Sequence, residues 1–332
     1  MKDEIKIFCV KDWPVVAEGR NDYELLDTGD KERIERFGKY TFVRPYDNAV
    51  WKKTLSEKEW DKADGKFWSS KVGAKPGWSM EHKVELKWEM NYKGIKFLAS
   101  PTPFRHLGFF PEQASHWDFI ENSIRKANSQ KNFLETAPSE SKGQGTHTFL
   151  KNSSGNSPMQ PIKFLNLFGY TGVASLFALR AGAEVTHLDA SKQTLDWAKE
   201  NQKISGLENL PMRIIEDDAI KFLEREEKRG NKYDAIIMDP PKFGRGPKGE
   251  VWKIEEMLPK LLSCVKKVLS DKPLFVILTS YAIDSSSLSL GYALNETMKD
   301  FNGNIESGEL CVFEKSNNRL IPLANTAVWY NK

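Results

Sequence analysis

The stretch "FLNLFGYTGVASL", Phe164 to Leu176, decides the fold. Its apolar start reads as a buried strand, Phe168 to Gly172 as a glycine-containing turn, and Gly172 to Ala181 as the following helix. The same alternation then repeats. "EVTHLD" is the next strand, and "SKQTLDWAKENQKI" a helix that Ser191 can cap. "MRIIED" is a third strand, followed by a charged helix through Arg229; "YDAIIMD" is a fourth, with a helix over Glu255 to Leu269 behind it. "PLFVILTS" is a fifth strand, and a helix runs from about Ser286 to Asp300. Near-continuous apolar strands alternating with amphipathic helices predict a parallel sheet covered on both faces, an α/β fold. The end differs: "ELCVFEK", the turn "SNNR" and "LIPLANTAVWY" predict an antiparallel hairpin at one sheet edge. Such a sheet binds ligands beyond the carboxyl ends of its strands, where the strand order reverses.

The front of the chain has another texture. Trp13, Trp51, Trp60, Trp68, Trp78 and Trp88 account for six of the ten tryptophans. Short runs such as "KYTFVRP" and "HKVELKWEM" sit between the turn signals "DTGD", "ADGK", "AKPG" and "NYKG", which predicts short antiparallel strands. Residues 1–115 are therefore expected to form a smaller β-rich domain and 116–332 the α/β domain, opened by a helix over "HWDFIENSIRKAN". A polar Ser/Gly/Pro/Asn-rich tract at about 135–160 is expected to be a mobile loop. The front tryptophans are expected to be core, with base stacking as the alternative.

Composition excludes several classes. The 332 residues are 39% hydrophobic and 29% charged, ordinary for a globular protein. No apolar run approaches the roughly 18 residues of a membrane span, and the N-terminus lacks a signal-peptide core, so a cytoplasmic protein is expected. Cys9, Cys264 and Cys311 have no paired spacing and the five histidines are scattered, which argues against a disulfide framework or metal site. The net charge of +3 is compatible with an anionic partner without pointing to one.

Four strand ends carry a coherent set. "FGYTG" lets a ligand approach the backbone and offers helix-end amides to an anion, or else is simply a tight connection. Asp189, about 20 residues beyond Gly169, can accept ribose hydroxyls or cap a helix. In "EDDA", Asp217 or Asp218 can cap the next helix or accept from an adenine amino group. The absence of G-x-G-x-x-G counts against a nicotinamide enzyme. The fourth end, "DPPKF" from Asp239 to Phe243, offers an acceptor at Asp239 or the Pro240 carbonyl and a stacking ring at Phe243. These are what a planar nitrogen needs to accept a methyl group; a strand terminator with a core Phe is the plainer alternative.

The ordered set "FLNLFGYTGVASL", "VTHLDAS", "EDDAIKFL" and "DAIIMDPPKFGRG" resembles class I S-adenosylmethionine-dependent methyltransferases. More narrowly, it resembles the branch holding bacterial 23S ribosomal RNA methyltransferases, both cytosine carbon-5 and guanine nitrogen-7 enzymes. The resemblance spans roughly residues 85 to 332 and implies a Rossmann-like seven-stranded methyltransferase sheet. "LGFFPEQAS" stands where that branch has Thr-Gly-Phe-aromatic-x-Asp-Gln-Arg beside the cofactor, with Leu107, Glu112 and Ala114 as departures and Phe109, Phe110 and Gln113 retained. The front end does not resemble the PUA domain of the cytosine enzymes; "LLDTGDKERIERFG" resembles a less characterised subgroup.

The resemblance implies S-adenosyl-L-methionine as cofactor. Phe168, Gly169, Tyr170, Thr171 and Gly172 would hold its methionine part, Asp189 its ribose, and Asp218 with Ala219 its adenine; Ala190 or Ser191 would line the base, and Phe110 would flank the cofactor. Asp239, Pro240 and Phe243 would be the catalytic set. The related cytosine enzymes place a nucleophilic cysteine after the fifth strand, where this chain has Thr279, Ser280 and Tyr281. The expected activity is therefore methylation of a base nitrogen in RNA, ribosomal RNA first. A protein or small-molecule nitrogen is the alternative, and cytosine carbon 5 the third. The loop "KFGRGPKGEVWK", with Lys242, Arg245, Lys248 and Lys253, could grip phosphates, with Trp252 as a stacking surface, or else be a solvated flexible loop. No metal, membrane or particular oligomeric state is implied.

Overall fold

The computed structural model describes residues 4–15, 21–69, 76–136, 160–281 and 286–332. The loop expected at about 135–160 falls almost wholly outside them. The front of the chain forms β1 (Ile5–Val10), β2 (Tyr23–Gly29), β3 (Glu32–Phe37), β4 (Tyr40–Pro45), the single turn α1 (Glu57–Trp60), β5 (Gly65–Trp68), β6 (Gly77–Met80), β7 (Trp88–Tyr92) and β8 (Ile95–Ala99). This is the β-rich region its turn signals predict. The loop between β2 and β3 has Asp30 and Lys31 both at positive φ, 49° and 64°, the geometry whose twist matches a tight hairpin.

Next come α2 (Ala114–Thr136), β9 (Lys163–Leu167), α3 (Val173–Arg180), β10 (Glu184–Asp189), α4 (Lys192–Ile204), β11 (Met212–Glu216), α5 (Ala219–Arg229) and β12 (Ala235–Met238). The short strands β13 (Phe243–Arg245) and β14 (Val251–Lys253) lead into α6 (Ile254–Val268), β15 (Phe275–Ser280), α7 (Ser287–Met298), β16 (Gly303–Glu314) and β17 (Arg319–Asn331).

The sheet runs β11-β10-β9-β12-β15-β17-β16, parallel through β15 and then antiparallel for the terminal hairpin. These seven strands are the Rossmann-like methyltransferase sheet that the motifs imply. Every residue of β12 and β15 is buried, because helices cover both faces. The far edge of β16 is then covered by β1 in parallel register, Ile5 opposite Ser307 through Val10 opposite Val312. Leu25 of β2 pairs with Glu314 at the end of β16, so β2-β3-β4-β5-β6 continue the same sheet.

Two apolar clusters flank the α/β sheet. One joins Trp13, Tyr23, Phe37, Trp88 and Phe97 of the front to Trp117, Phe164 and Phe177; the other packs Leu165, Leu167, Ile236 and Met238 against α5 and α6. Trp13, Trp60 and Trp88 are buried, as expected of core residues. Trp117 stacks on Phe177 with ring centroids 5.6 Å apart, joining α2 to α3.

Strand order positions the site. The chain winds from β9 outward through β10 and β11, then returns to the other side of β9 for β12 and β15. The reversal lies between β9 and β12, where Leu167 and Met238 are paired in register. Their carboxyl ends release "FGYTG" and "DPP" side by side, which is where a crevice opens in such sheets.

Candidate active site

The turn after β9 is strained. Phe168, Tyr170 and Gly172 have φ of 57°, 52° and 84°, so two non-glycine residues occupy a region that costs each about 1–3 kcal/mol. The strain is held from below. Asn166 donates to Ser175 Oγ at 3.0 Å, Ser175 Oγ meets His187 Nδ1 at 3.0 Å, and His187 Nε2 lies 3.3 Å from the Tyr170 carbonyl. Burial holds His187 down at about 4, so the ring is neutral and can bridge both. Gly169 is required here: a Cβ would lie 2.3 Å from His187 Cε1. From the side, Thr171 Oγ1 donates to the Gly108 carbonyl at 2.6 Å, and Asn201 donates to the Thr171 carbonyl while accepting from Leu98 N–H. The segment after β8 is thereby docked on the turn.

Asp189 stands behind the turn. Its carboxylate accepts from Tyr170 N–H at 2.9 Å, Ser191 N–H at 2.9 Å and Thr194 Oγ1 at 3.1 Å. A carboxylate has about four lone-pair sites, so capacity for a further donor is left. Ser191 caps α4 through Thr194 N–H, beside half-buried Ala190. One strand further out, Asp218 caps α5 by accepting from Lys221 N–H at 3.0 Å, Asp217 pairs with Arg225, and Ala219 is buried in the core. Capping by Asp218 was one of the two roles its sequence allows.

A narrow cleft of about 60 Å³ is lined by Phe109, Phe110, Gln113, Trp117, the whole turn from Phe168 to Gly172, Val173, Ala174, Ile237 and Asp239. It brings together the expected Phe110, Phe168 to Gly172 and Asp239. Asp189, Ala190, Ser191, Asp218 and Ala219 follow at the adjacent strand ends, Pro240 is buried beside Asp239, and Phe243 is 56% exposed outside the cleft. Gly172 caps α3 without a side chain, so the first-turn amides of that helix have no side-chain acceptor.

Gln113 and Asp239, both lining the cleft, belong to a group that sequence reasoning did not assemble. Gln113 Nε2 donates to Asp239 Oδ2 at 3.3 Å and to Tyr281 Oη at 3.2 Å. Burial, with Glu112 nearby, pushes the Asp239 carboxyl well above the usual range. Burial also raises buried Glu112, against the pull of Arg33 and Arg44. The Tyr281 phenol is raised by burial and by both acids. Its ring lies 4.9 Å from Phe110, which lines the cleft and lies 5.7 Å from Tyr170, another of its lining residues. Glu112 and Tyr281 were noticed in the sequence only as departures from a family pattern.

The segment after Asp239 differs from the expected loop. β13 and β14 pair as a hairpin, Phe243 opposite Lys253 and Arg245 opposite Val251. Trp252 is not a free stacking surface: it is buried on the inner face, donates to the Pro241 carbonyl at 2.6 Å and lies 5.1 Å from Phe168. The hairpin's outer face exposes Phe243, Arg245, Val251 and Lys253, and Lys242 and Lys248 are exposed beside it.

Among the described residues no cluster of His, Cys, Asp and Glu could hold a metal ion, and no helix is long and apolar enough to cross a membrane. The buried thiols are held protonated, Cys311 at about 12 and Cys264 above its ordinary value, both by burial. Neither lines the cleft.

A seven-stranded sheet with a glycine turn and a recessed acid at its switch point defines a Rossmann-like methyltransferase fold. Comparison with known proteins agrees. Residues 147–277 match the family described as Conserved hypothetical protein 95. The chain is 33% identical over 142 residues to the ribosomal RNA large subunit methyltransferase K of Neisseria meningitidis, covering 41% of this chain and 40% of that one. It is 40% identical over 82 residues to the ribosomal RNA large subunit methyltransferase I of Aeromonas salmonicida, covering 24% and 21%. The matched region thus spans well under half the length of either relative. The crystal structure of the SAM-dependent methyltransferase from Agrobacterium tumefaciens is 37% identical, with 98% of this chain and 94% of that one covered and a TM-score of 0.83. A Streptococcus mutans structure shares the fold at 14% identity, with 93% of this chain and 75% of that one covered and a TM-score of 0.65. This chain belongs to the S-adenosylmethionine-dependent methyltransferases.

The cleft fits that cofactor chemically. It offers unengaged helix-end amides for a carboxylate, aromatic and apolar walls for an adenosine, and a buried acceptor, Gln113 Oε1, that has no donor.

Proposed function

We propose that this protein methylates a nitrogen of an RNA base in the cytoplasm, with ribosomal RNA as the substrate, and that residues 1–115 serve recognition while 116–332 carry out transfer. The observation that carries the reading is Asp239, half-buried at the switch point beside the strained turn, with aromatic rings around it and no thiol in the cleft. When bound, S-adenosylmethionine supplies an activated methyl group. Phe168 to Gly172 and the amides of Val173 and Ala174 hold its methionine end; Asp189 takes a ribose hydroxyl; Ala190, Ser191, Asp218 and Ala219 border the adenine. Phe110 and Tyr281 exclude water and keep the acceptor ring in line with the methyl group, so most of the rate comes from positioning. Asp239, ionised, takes the proton released by the acceptor, while the adjoining Pro240 fixes the direction of the chain beyond it. Phe243 and the cations of the hairpin's outer face grip the flanking nucleotides, an arrangement suited to single-stranded nucleic acid. The names of the Neisseria and Aeromonas relatives support ribosomal RNA as the acceptor.

The test is tritium transfer from labelled S-adenosylmethionine to total RNA and to free ribosomal subunits, with Asp239→Ala as control. Label in RNA that disappears in the variant supports the reading. Cofactor binding with no label in any RNA assigns the acceptor to a protein or small molecule instead.

A further inference from the structure

Arg33 of β3 stands directly opposite Arg44 of β4. Like charges facing each other across a strand pair oppose folding, the more so when both are buried, as these are. Glu35 follows two residues after Arg33, on the same face, and supplies the negative charge between them. Arg44 takes most of it: its Nε and Nη2 lie 2.7 Å and 2.5 Å from Glu35 Oε2, and its Nη1 donates to the Arg105 carbonyl at 3.0 Å. Arg33 is left short. Its Nε lies 3.1 Å from the same oxygen without being aligned on it, and both Nε and Nη1 are buried with no hydrogen-bond partner among the described residues. Nη2 bonds nothing among the described residues and is not itself buried, so this edge of the guanidinium opens to solvent. The residue as a whole is only 9% exposed. A guanidinium held this deep, with donors unused and one edge open, is a site for an anion that comes from outside the chain.

The surroundings add cations and do not neutralise them. Two further acids are near, Glu112 and Asp47, and among the described residues neither forms an ion pair with Arg33 or Arg105. The Arg105 side chain is exposed and has no hydrogen bond among the described residues. His106 beside it is held down at about 3, by burial first and then by Arg44, Arg105 and Arg33. The segment that carries both is a built one. Trp78 Nε1 donates to the carbonyls of Thr102 and Phe104 at 2.8 Å and 3.1 Å, and Thr102 N–H donates to the His106 carbonyl at 3.1 Å. Phe104, so held, is still 71% exposed. The His106 ring lies 4.9 Å from Phe110, which lines the cleft, so the cationic group stands one ring away from the cleft.

We infer that Arg33 and Arg105 bind a phosphate of the acceptor RNA beside the base that enters the cleft, and that Phe104 stacks on a neighbouring base. This rests on the reading of the chain as an RNA methyltransferase. Planar guanidinium groups match phosphate oxygens two donors at a time, and cations beside an exposed aromatic face are what a single strand needs. The cofactor's carboxylate fits worse: neither arginine lines the cleft, and the α3 amides offer it a place there. A carboxylate on a protein acceptor would leave Phe104 without a use.

Arg105→Ala removes an exposed side chain that holds nothing, and Arg33→Gln removes the unmatched charge while Glu35 keeps Arg44. Each is compared with wild type in binding to polyuridylate, by fluorescence anisotropy over a series of salt concentrations. Tritium transfer to total RNA and S-adenosylhomocysteine affinity by calorimetry are measured beside it. Polyuridylate affinity is expected to fall by about 10–100-fold, and the slope of log affinity against log salt by about 0.7. KM for RNA rises with kcat kept, and cofactor affinity stays within about twofold. Phe104→Ala is expected to lose affinity by about fivefold or more with the salt slope unchanged. Unchanged affinity and slope in both arginine variants, with transfer to RNA intact, overturns the inference and leaves the RNA reading standing. Wild-type protein that neither binds polyuridylate nor labels RNA overturns both. A loss of cofactor affinity of about tenfold or more assigns the arginines to the cofactor and overturns the proposal. Should Arg33→Gln unfold, Arg105→Ala and Phe104→Ala still decide.

Discussion

The carboxylate of Asp189 accepts the backbone N–H of Tyr170 at 2.9 Å, and Tyr170 has a φ of 52°. A side chain at the end of one strand thus holds a strained residue in the turn that follows its neighbour. The residue expected to bind ribose is also the clamp on the turn proposed to hold the methionine end of the cofactor. Replacing Asp189 with Ala removes the acceptor for Tyr170, Ser191 and Thr194 together, and leaves the strain unopposed. Stability is expected to fall by about 1–3 kcal/mol, and affinity for S-adenosylhomocysteine by more than about tenfold. Calorimetric titration beside chemical denaturation checks both; unchanged affinity would mean the clamp is dispensable.

Gly169 has no room for a side chain. Its Cβ would lie 2.3 Å from His187, so Gly169→Ala must displace a ring that is bonded on both sides, to Ser175 and to the Tyr170 carbonyl. Overpacking of this kind costs about 1–3 kcal/mol. A midpoint of thermal unfolding equal to wild type would show that the ring moves freely.

Asp239 gives opposite effects on activity and stability. Because the raised acid must be ionised to take a proton, kcat/KM is expected to rise with pH through its titration, and Asp239→Asn to lose about 10²–10⁴-fold and the pH dependence with it. For stability the sign reverses. Folded Asp239 binds its proton more tightly than the unfolded chain, whose value is near 3.8, so stability falls as pH rises from there to the folded value. Asp239→Asn is therefore expected to unfold at a higher temperature than wild type at neutral pH, with the gap closing toward pH 4. A gap independent of pH would refute the shift.

Glu35 is fully buried between two arginines. It accepts from Arg44 Nε at 2.7 Å and Tyr23 Oη at 2.9 Å, and Arg33 Nε lies 3.1 Å away. Glu35→Gln leaves both guanidinium groups without their counter-charge, which for buried pairs costs about 3–5 kcal/mol. Burial raises the Glu35 carboxyl, but Arg33 and Arg44 outweigh it and the net shift is downward. The stabilisation is therefore present above the unfolded value of 4.5 and lost as pH falls through the folded one. Denaturant unfolding of both proteins across that range checks the magnitude and the sign.

On the proposed reading the hairpin cations serve RNA binding and not the cofactor. Lys242 and Arg245 are exposed in the segment that follows Asp239. Replacing both with Ala is expected to weaken RNA binding, and to lower the slope of log affinity against log salt by about 0.7 for each phosphate that is no longer neutralised. S-adenosylhomocysteine binding should be unchanged. An unaltered salt slope would place the RNA path elsewhere.

Much of this protein is written locally. Apolar runs bounded by turns report burial on both strand faces, so the five parallel strands, their helices and the terminal hairpin could be read from "FLNLF" to "LIPLANTAVWY" without any tertiary information. The motifs at the strand ends could be read because each occupies a few contiguous residues, and the strand ends of one parallel sheet share an edge. What needed the folded chain was the meeting of distant segments. Gln113 lies 126 residues from Asp239 and 168 from Tyr281, and only the reversal of strand order beside β9 brings the three together. Trp252 had the same limit: a tryptophan amid glycines and lysines reads as exposed, and only its seat on Phe168 and the Pro241 carbonyl shows it to be buried. The joining of the front strands to the α/β sheet at Leu25 and Glu314 is likewise a tertiary fact, since strand pairing depends on which edge is free, and periodicity carries no record of that.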